Sequence, residues 1–477
     1  MMQTKPVSIA SPSDLNRSSM LTSQYTQNCY LAPGREGEHL WVAYDFPGLK
    51  AFYAGSGADR GMVVYLGQIY KVSGTSLISI TSAGVATVRG SVPGSASCIF
   101  AISYDDAIAG YGLLIATEGK RYYYNQSTVT EITDADLSTG YSVAVINDVA
   151  IYDNLDGILT HSTNAAPTTI SAFFAETNTT PDGIVRVYVW GQIVFVFGSA
   201  SIEQWFYNGA TTEFIFTRQE QATIPIGLAA KDSLASDELY MYFLGSDRQF
   251  KKLRGSLPEP ISSPGIANEL ARMTTVDDCR AWCMTIGEQS YYVATFPTEG
   301  KSFLYSSTYN YWVNLAYGTD SDNPARYLGN SYVYAYNRHF VADYRNGNVY
   351  ELDPLTYTDA GNTRLRIFVL SPMTGTQIGL PGRNITVSSL ELQAEVGVGL
   401  TEGQGIDALI MCQVSWDGGK TFSEITEVSL GELGAYTEIP KYDRFATGRS
   451  IVYRILCSDP IYLSIFGGIV EVTDGGF

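Results

Sequence analysis

The residues with the chemistry of acid–base catalysis are two pairs of adjacent carboxylates, Asp105-Asp106 and Asp277-Asp278. One acid beside another can have its pKa raised into a catalytic range. Adjacent acids on a turn are far more often simply solvated, and no nucleophile, base and orienting group can be assembled around either pair. His39, His161 and His339 fall in different parts of the chain with no ligand spacing between them. Of six cysteines (Cys29, Cys98, Cys279, Cys283, Cys412, Cys457), only Cys279 and Cys283 are close, as C-R-A-W-C. A zinc site needs a second such pair, and a disulfide framework needs denser cysteines, so these read as free, mostly buried thiols. Gly55 to Gly61 (G-S-G-A-D-R-G) misses both the dinucleotide spacing and the Gly-Lys-Ser/Thr ending of a phosphate cradle, and reads as a connector. Asp343 to Glu351 lacks the alternating acids of a calcium loop and reads as a hairpin. Lys251-Lys252-Leu253-Arg254 is a small basic cluster, read as a solvated face or a docking point for an acidic partner. The expectation is a protein with no catalytic residues, no cofactor and no metal.

One local motif is sharp. Ser415-Trp416-Asp417-Gly418-Gly419-Lys420-Thr421-Phe422 resembles the Asp-box of sialidases and other propellers. Its role there is structural: the Asp and Gly make a tight hairpin through side-chain to backbone hydrogen bonds, and the aromatic residue packs beneath. Ser415, Asp417, Gly419, Thr421 and Phe422 are the site residues expected here, as a turn and not as a catalytic set. A sialidase carries several copies plus an arginine cluster and a Tyr/Glu pair in a central pocket, whereas this chain has one copy.

The elements that would position these residues are strands. Tyrosine, valine, threonine and glycine are abundant, and long helical patterns are few, which points to an all-β protein. The chain carries 30 Lys and Arg against 48 Asp and Glu, a formal charge of -18. That balance argues against a groove gripping nucleic acid by counterion release. It permits a passage along which phosphates slide without sticking. The N-terminal stretch is polar, without the apolar core of a signal peptide, and no segment is long enough to cross a bilayer. The expectation is a soluble protein made in a reducing cytoplasm.

Trp190 to Thr212 shows the building unit. Ile193 to Phe197 is an unbroken β-branched and aromatic run, the pattern of a strand buried on both faces. After Gly198-Ser199 a second strand alternates, with Ile202, Gln204 and Phe206 opposite Glu203, Trp205 and Tyr207. Asn208-Gly209 suits a tight hairpin. Similar marks occur at Leu66 to Tyr70, Glu118 to Tyr122, Leu155 to Leu159, Gly245 to Phe250, Glu299 to Leu304 and Asn346 to Tyr350. Successive marks lie roughly 37 to 54 residues apart, the scale of a four-stranded propeller blade. The reading is a β-propeller of about seven blades, with six the alternative. Gly265 to Met273 is the one helical segment, a blade insertion. Residues 1–35 read as an N-terminal arm or leading strand, 36–358 as the propeller, and 359–477 as a C-terminal β-sandwich, jelly-roll-like, with longer alternating strands. Within that unit Ile385 and Val387 are out of phase with Leu390 and Leu392, which predicts a bulge near Ser388-Ser389.

Three stretches resemble the packaged-DNA stabilisation, or tail-hub, proteins of short-tailed bacteriophages. The first is N-C-Y-L-A-P at Asn28 to Pro33, leading to F-P-G-L-K at Phe46 to Lys50, R-G-M at Arg60 to Met62 and G-Q-I-Y-K-V-S-G at Gly67 to Gly74. The second is F-G-S-A-S-I-E-Q-W-F-Y-N-G-A-T-T at Phe197 to Thr212. The third comprises Leu392 to Gly399, Ser415 to Ser423 and Ser429 to Tyr436, while Pro440 to Gly448 departs from the pattern. The resemblance implies a structural virion protein with no enzymatic activity, located in the tail. It implies a homo-oligomer, a hexamer, beneath the portal and its adaptor (head completion) protein. Such a ring extends the DNA channel, helps retain packaged DNA without binding it specifically, and anchors the tail needle and tailspikes or fibres. The alternatives are a carbohydrate-binding or sialidase-like propeller of a receptor-binding tail protein, or a bacterial scaffold propeller. A cleaving propeller would need a central pocket ringed by Arg, Tyr and Glu.

Overall fold

The structure, a computed structural model, describes residues 2–15, 23–34, 40–154, 156–177, 182–210 and 213–476. Six four-stranded antiparallel units follow one another along the chain, at 59–91, 99–131, 143–176, 184–218, 235–260 and 280–317. A seventh takes three strands from Gly329–Ala335, Arg338–Asp343 and Val349–Asp353 and its outermost strand from Gly48–Tyr53, which precedes the first unit. That last pairing, from Asp353 opposite Gly48 to Val349 opposite Tyr53, ties the two ends of the propeller together.

The hydrophobic cores fall between the blades. In the second blade Leu113 and Ile115 pack toward the first blade, with Tyr65, Tyr70 and Val72. Their neighbours Leu114 and Ala116 pack toward the third, with Val143, Ala150 and Tyr152. Successive side chains of a strand point to opposite faces, so a continuous apolar run feeds two cores at once. The same division recurs at Met241 and Phe243 against Tyr242 and Leu244, and the seventh blade meets the first through Phe340 and Val349 against Ile69 and Ile78. Each buried Leu, Ile or Phe contributes about 1.5–3 kcal/mol by leaving water. A blade alone would leave both faces wet.

The recurrent mark sits at the turn between second and third strands in blades two to seven, at Glu118-Gly119 and its counterparts. In the first blade that turn is at Gly74 (φ +54°), whereas Leu66-Gly67 joins strands one and two. The first mark therefore belongs to the neighbouring hairpin. Asn208-Gly209 is not a two-residue turn either: the strand Ile202–Tyr207 resumes only at Phe216–Arg218, across a connection closed by Asn208 N–H to Ile215 O at 2.9 Å. Thr211, Thr212 and Leu155 lie outside the described residues. Glu203 and Gln204 are both buried, so the strand Ile202–Tyr207 is half-exposed only at its end. The helix is Pro264–Arg272, capped by Ser263 Oγ accepting from Ile266 N–H, and it lies between blades five and six.

The strands beyond the propeller form two antiparallel sheets that share a core. One holds Gln3–Val7, Cys29–Pro33, Trp41–Asp45, Asn384–Ala394, Lys441–Gly448 and Ser464–Gly476. The other holds Ser23–Gln27, Arg366–Val369, Ser450–Cys457, Ala408–Ser415 and Thr426–Gly431. Between them lie Leu31, Leu390, Leu392 and Val470, with Ile410, Val414, Tyr453 and Ile455. The register slips between Val387 and Ser389 against both neighbouring strands, which turns Ile385, Val387, Leu390 and Leu392 into the same core.

The N-terminal stretch differs from the arm expected over 1–35. Ser23–Gln27 pairs with Arg366–Val369 on one side and touches blade six at Asn314 on the other, which merges both bodies into one twelve-stranded sheet. Thr26, Gln27 and the adjoining Asn28 are buried and hydrogen-bonded: Thr26 Oγ1 to Ser11 O at 2.6 Å, Asn28 Nδ2 to Leu365 O at 2.9 Å, and Ala316 N–H to Asn28 Oδ1 at 2.9 Å. A unit drawn from residue 359 onward lacks these strands.

Candidate functional site

The inner strands converge on an axial cavity of 260 Å³, lined among others by Arg60, Ser97, Arg186, Asp232, Arg280, Trp282, Asn330 and Tyr332. Arg60 is buried, and all five of its N–H groups are used. Nε donates to Ala96 O, Nη1 to Gly74 O and Val92 O, and Nη2 to Pro93 O and Thr117 Oγ1, at 2.6–3.3 Å. It stitches blade one to blade two and has nothing left for a ligand. Arg121 does the same between blades two and three, pairing Asp153 at 2.6 Å. Tyr332, on the rim, directs its hydroxyl to His339 Nδ1 at 2.8 Å. The lining holds one carboxylate, Asp232, and no Glu among the described residues. The Arg, Tyr and Glu ring of a carbohydrate-cleaving propeller is therefore incomplete here.

The other expected positions are dispersed. Asp105 caps its own turn through Ala107 N–H at 2.9 Å and accepts from Tyr123, whose hydroxyl is pushed up by burial and then by Asp105. Asp106 is exposed. Asp278 Oδ2 accepts from Thr298 N–H at 2.7 Å while Asp277 faces solvent. His161 lies in blade three with Nδ1 at 2.8 Å from Ser162 O and Phe214 edge-on at 5.1 Å, and burial lowers its pKa. His339 is in blade seven. His39 lies outside the described residues. Burial raises the Cys279 and Cys283 thiols, and among the described residues no group of three or more His, Cys, Asp or Glu could hold a metal ion. Nor is any described helix long and apolar enough to cross a membrane.

Gly55 to Gly61 packs on the turn of blade seven, with Gly55 N–H to Asn348 Oδ1 at 3.1 Å, so it joins blades rather than cradling a phosphate. Asp343 is taken by its own hairpin, accepting from Arg345 Nε at 3.2 Å and Nη2 at 3.0 Å. In the basic cluster Lys251 pairs with Asp247 at 2.6 Å and Lys252 with Glu259 at 3.4 Å, while Arg254 is exposed.

The Asp417 turn is knitted by its own side chains. Ser415 Oγ donates to Asp417 Oδ1 at 2.7 Å and accepts from Gly419 N–H at 2.8 Å. Asp417 also accepts from Lys420 N–H, Thr421 N–H and Thr421 Oγ1 at 2.7–3.0 Å. These bonds, Thr421 Oγ1 first, hold the Asp417 carboxyl well below the usual carboxylate range. Phe422 lies under the Arg454 guanidinium at 4.0 Å, and Arg454 reaches Asp322 of the propeller at 2.6 Å. The side chains of Arg444 and Phe445, in the divergent Pro440 to Gly448 stretch, lie outside the described residues.

A charge network at the junction of the two bodies had no sequence signal. Asp45, Asp359, Arg364 and Arg366 are all buried. Asp45 Oδ1 lies 3.4 Å from Arg364 Nη2 and 3.3 Å from Arg366 Nε, while Oδ2 accepts from Leu463 N–H at 2.8 Å. Arg364 Nη1 is 3.6 Å from Asp359, an ion contact and not a hydrogen bond. Arg366 Nη2 donates to Asp459 O at 2.8 Å.

The family model described as bacteriophage P22 Gp10, beta-propeller, matches residues 19–357. No curated protein matches. Solved structures similar to this chain include the WD40 beta-propeller domain of Doa1, at 11% identity and TM-score 0.40, over 64% of this chain and 97% of that one. Another is the extracellular domain of a putative hybrid two-component system, BT4673, from B. thetaiotaomicron, at 11% and 0.44, over 76% and 46%. A third is the Neurospora crassa Pan2 WD40 domain, at 7% and 0.41, over 65% and 96%.

Proposed function

Since the chain belongs to the bacteriophage P22 Gp10 beta-propeller family and so is a phage structural tail protein, we propose that it is a tail-hub subunit. It assembles into a ring, a hexamer, beneath the portal and its adaptor. The ring extends the DNA channel, retains packaged DNA without gripping it, and anchors the tail needle and tailspikes or fibres. It catalyses no reaction, and it is made in the host cytoplasm before joining the virion.

The observation that carries this reading is the continuous twelve-stranded sheet through Ser23–Gln27, with the buried junction around Asp45. Together they make one stiff block of a propeller and a second β body, a shape suited to rigid docking through heterologous ring contacts. The acidic balance of the chain fits a conduit along which DNA has to move. The test is the mass of the purified protein alone and after mixing with the portal–adaptor complex. Conversion to a ring on the complex is expected. A strict monomer that stays off the complex would refute the proposal, as would turnover of a glycan by the pure protein.

A further inference from the structure

The cavity on the propeller axis is basic, in a chain whose acids outnumber its bases. Arg60, Arg186 and Arg280 reach its lining from blades one, four and six, against the single carboxylate of Asp232. Asp232 is already engaged by Ser97 Oγ and lies 3.7 Å from Lys231 Nζ. Arg60 is spent on four backbone oxygens and Thr117 Oγ1, but the other two arginines are not fully used. Arg186 donates through Nη1 to Lys231 O at 2.7 Å, while its buried Nε has no partner. The Arg280 side chain carries neither hydrogen bond nor ion pair among the described residues.

Behind the wall the crowding of positive charge continues. Arg326 holds Asn330, a lining residue, through Nη2 at 2.9 Å and lies 3.8 Å over the Tyr344 ring. Its Nε and Nη1 are buried and unpartnered. Burial, with Arg280 among the charges acting on it, brings its pKa down to about 10. Buried donors in native proteins are nearly always satisfied, and a planar guanidinium matches an oxyanion through paired N–H groups. We propose that this cavity binds a small free oxyanion of the phosphate class, held by the guanidinium groups of Arg186 and Arg280. At 260 Å³ it falls below the span of cofactor-sized pockets, roughly 300–1,000 Å³. That size suits phosphate or sulfate with a few waters. The inference is independent of ring assembly.

Titration of the full chain with inorganic phosphate, followed by ³¹P line broadening at constant ionic strength set with chloride, tests it. Saturable broadening is expected, with affinity about tenfold weaker in Arg280→Gln, the equivalent of one charge-assisted hydrogen bond. Arg254→Gln, at the exposed end of the third strand of blade five, is expected to bind as the parent does. Arg186→Lys keeps the charge but loses the planar fork, and the same weakening is expected, so the test survives if either variant fails to fold. No broadening by the parent protein would overturn the proposal. So would unchanged affinity in both folded variants, or equal displacement of phosphate by acetate.

Discussion

Replacing Asp45 by Asn tests what holds the propeller to the second β body. Asn keeps an acceptor for Leu463 N–H and the side-chain shape, so the change is chiefly one of charge. Asp45 faces Arg364 at 3.4 Å and Arg366 at 3.3 Å, with all three side chains buried. At an effective dielectric near 20, each such pair is worth about 5 kcal/mol of Coulomb attraction, most of it offset by desolvation of the ions. Removing one partner of a buried pair leaves the other uncompensated and costs about 3–5 kcal/mol. Arg364 retains Asp359 at 3.6 Å, but Arg366 is left with carbonyls and the Cys457 sulfur. Because two bodies need not unfold together, hydrogen exchange of Trp41–Asp45 and Arg366–Val369 is the informative assay, beside thermal unfolding. Opening of those strands is expected to become easier by about 3–5 kcal/mol, with Arg366→Met in the same chain recovering part of the loss. A change under about 1 kcal/mol, or exchange altered only in distant blades, would refute the role given to the network.

Gly48→Ala should weaken closure of the propeller, since a Cβ there would lie 2.1 Å from Thr356 O and 2.7 Å from Thr358 O. A loss of about 1–3 kcal/mol, read by thermal unfolding, is expected, with Val349–Asp353 losing exchange protection. Asp417→Ala removes the acceptor of four hydrogen bonds in the 415–421 turn, and faster proteolytic cutting between Trp416 and Ser423 is expected, with the propeller intact. Burial holds the folded pKa of His161 below its ordinary 6.5, so the unfolded chain takes up the proton first as pH falls. Its contribution is intact above about pH 6.5 and is lost as pH drops through the folded pKa. Melting curves between pH 7.5 and 5 should show His161→Phe with a shallower decline than the parent.

The sequence exposes those parts of the fold whose strands carry their burial in apolar side chains. Ile193 to Phe197 is legible because both of its faces enter a core, and the bulge at Ser388-Ser389 because a change of phase between Val387 and Leu390 has no other cheap explanation. Ser23–Gln27 is opaque for the opposite reason: Thr26, Gln27 and Asn28 are buried through hydrogen bonds, which leave no hydrophobic period. The Asp417 turn is local, so its spacing alone encodes it. The axial arginines and the Asp45 network are assembled from distant segments, and a lone Arg or Asp in sequence reads as a solvated surface residue.

The strand that closes the propeller imposes an order on synthesis. Lys50 and its partner Asp353 are 303 residues apart, an interval a ribosome covers in about 15–60 s. Throughout that time Gly48–Tyr53 has emerged without its ladder partner, as has Gln3–Val7, which waits for Ser464–Gly476. The propeller cannot close until Val349–Asp353 has emerged, and the second body cannot until Ser464–Gly476 has, so both mature late and in that order. A nascent chain of this kind leans on whatever shields open strand edges, and one terminated before Val349 would be left with both of these strands unpaired.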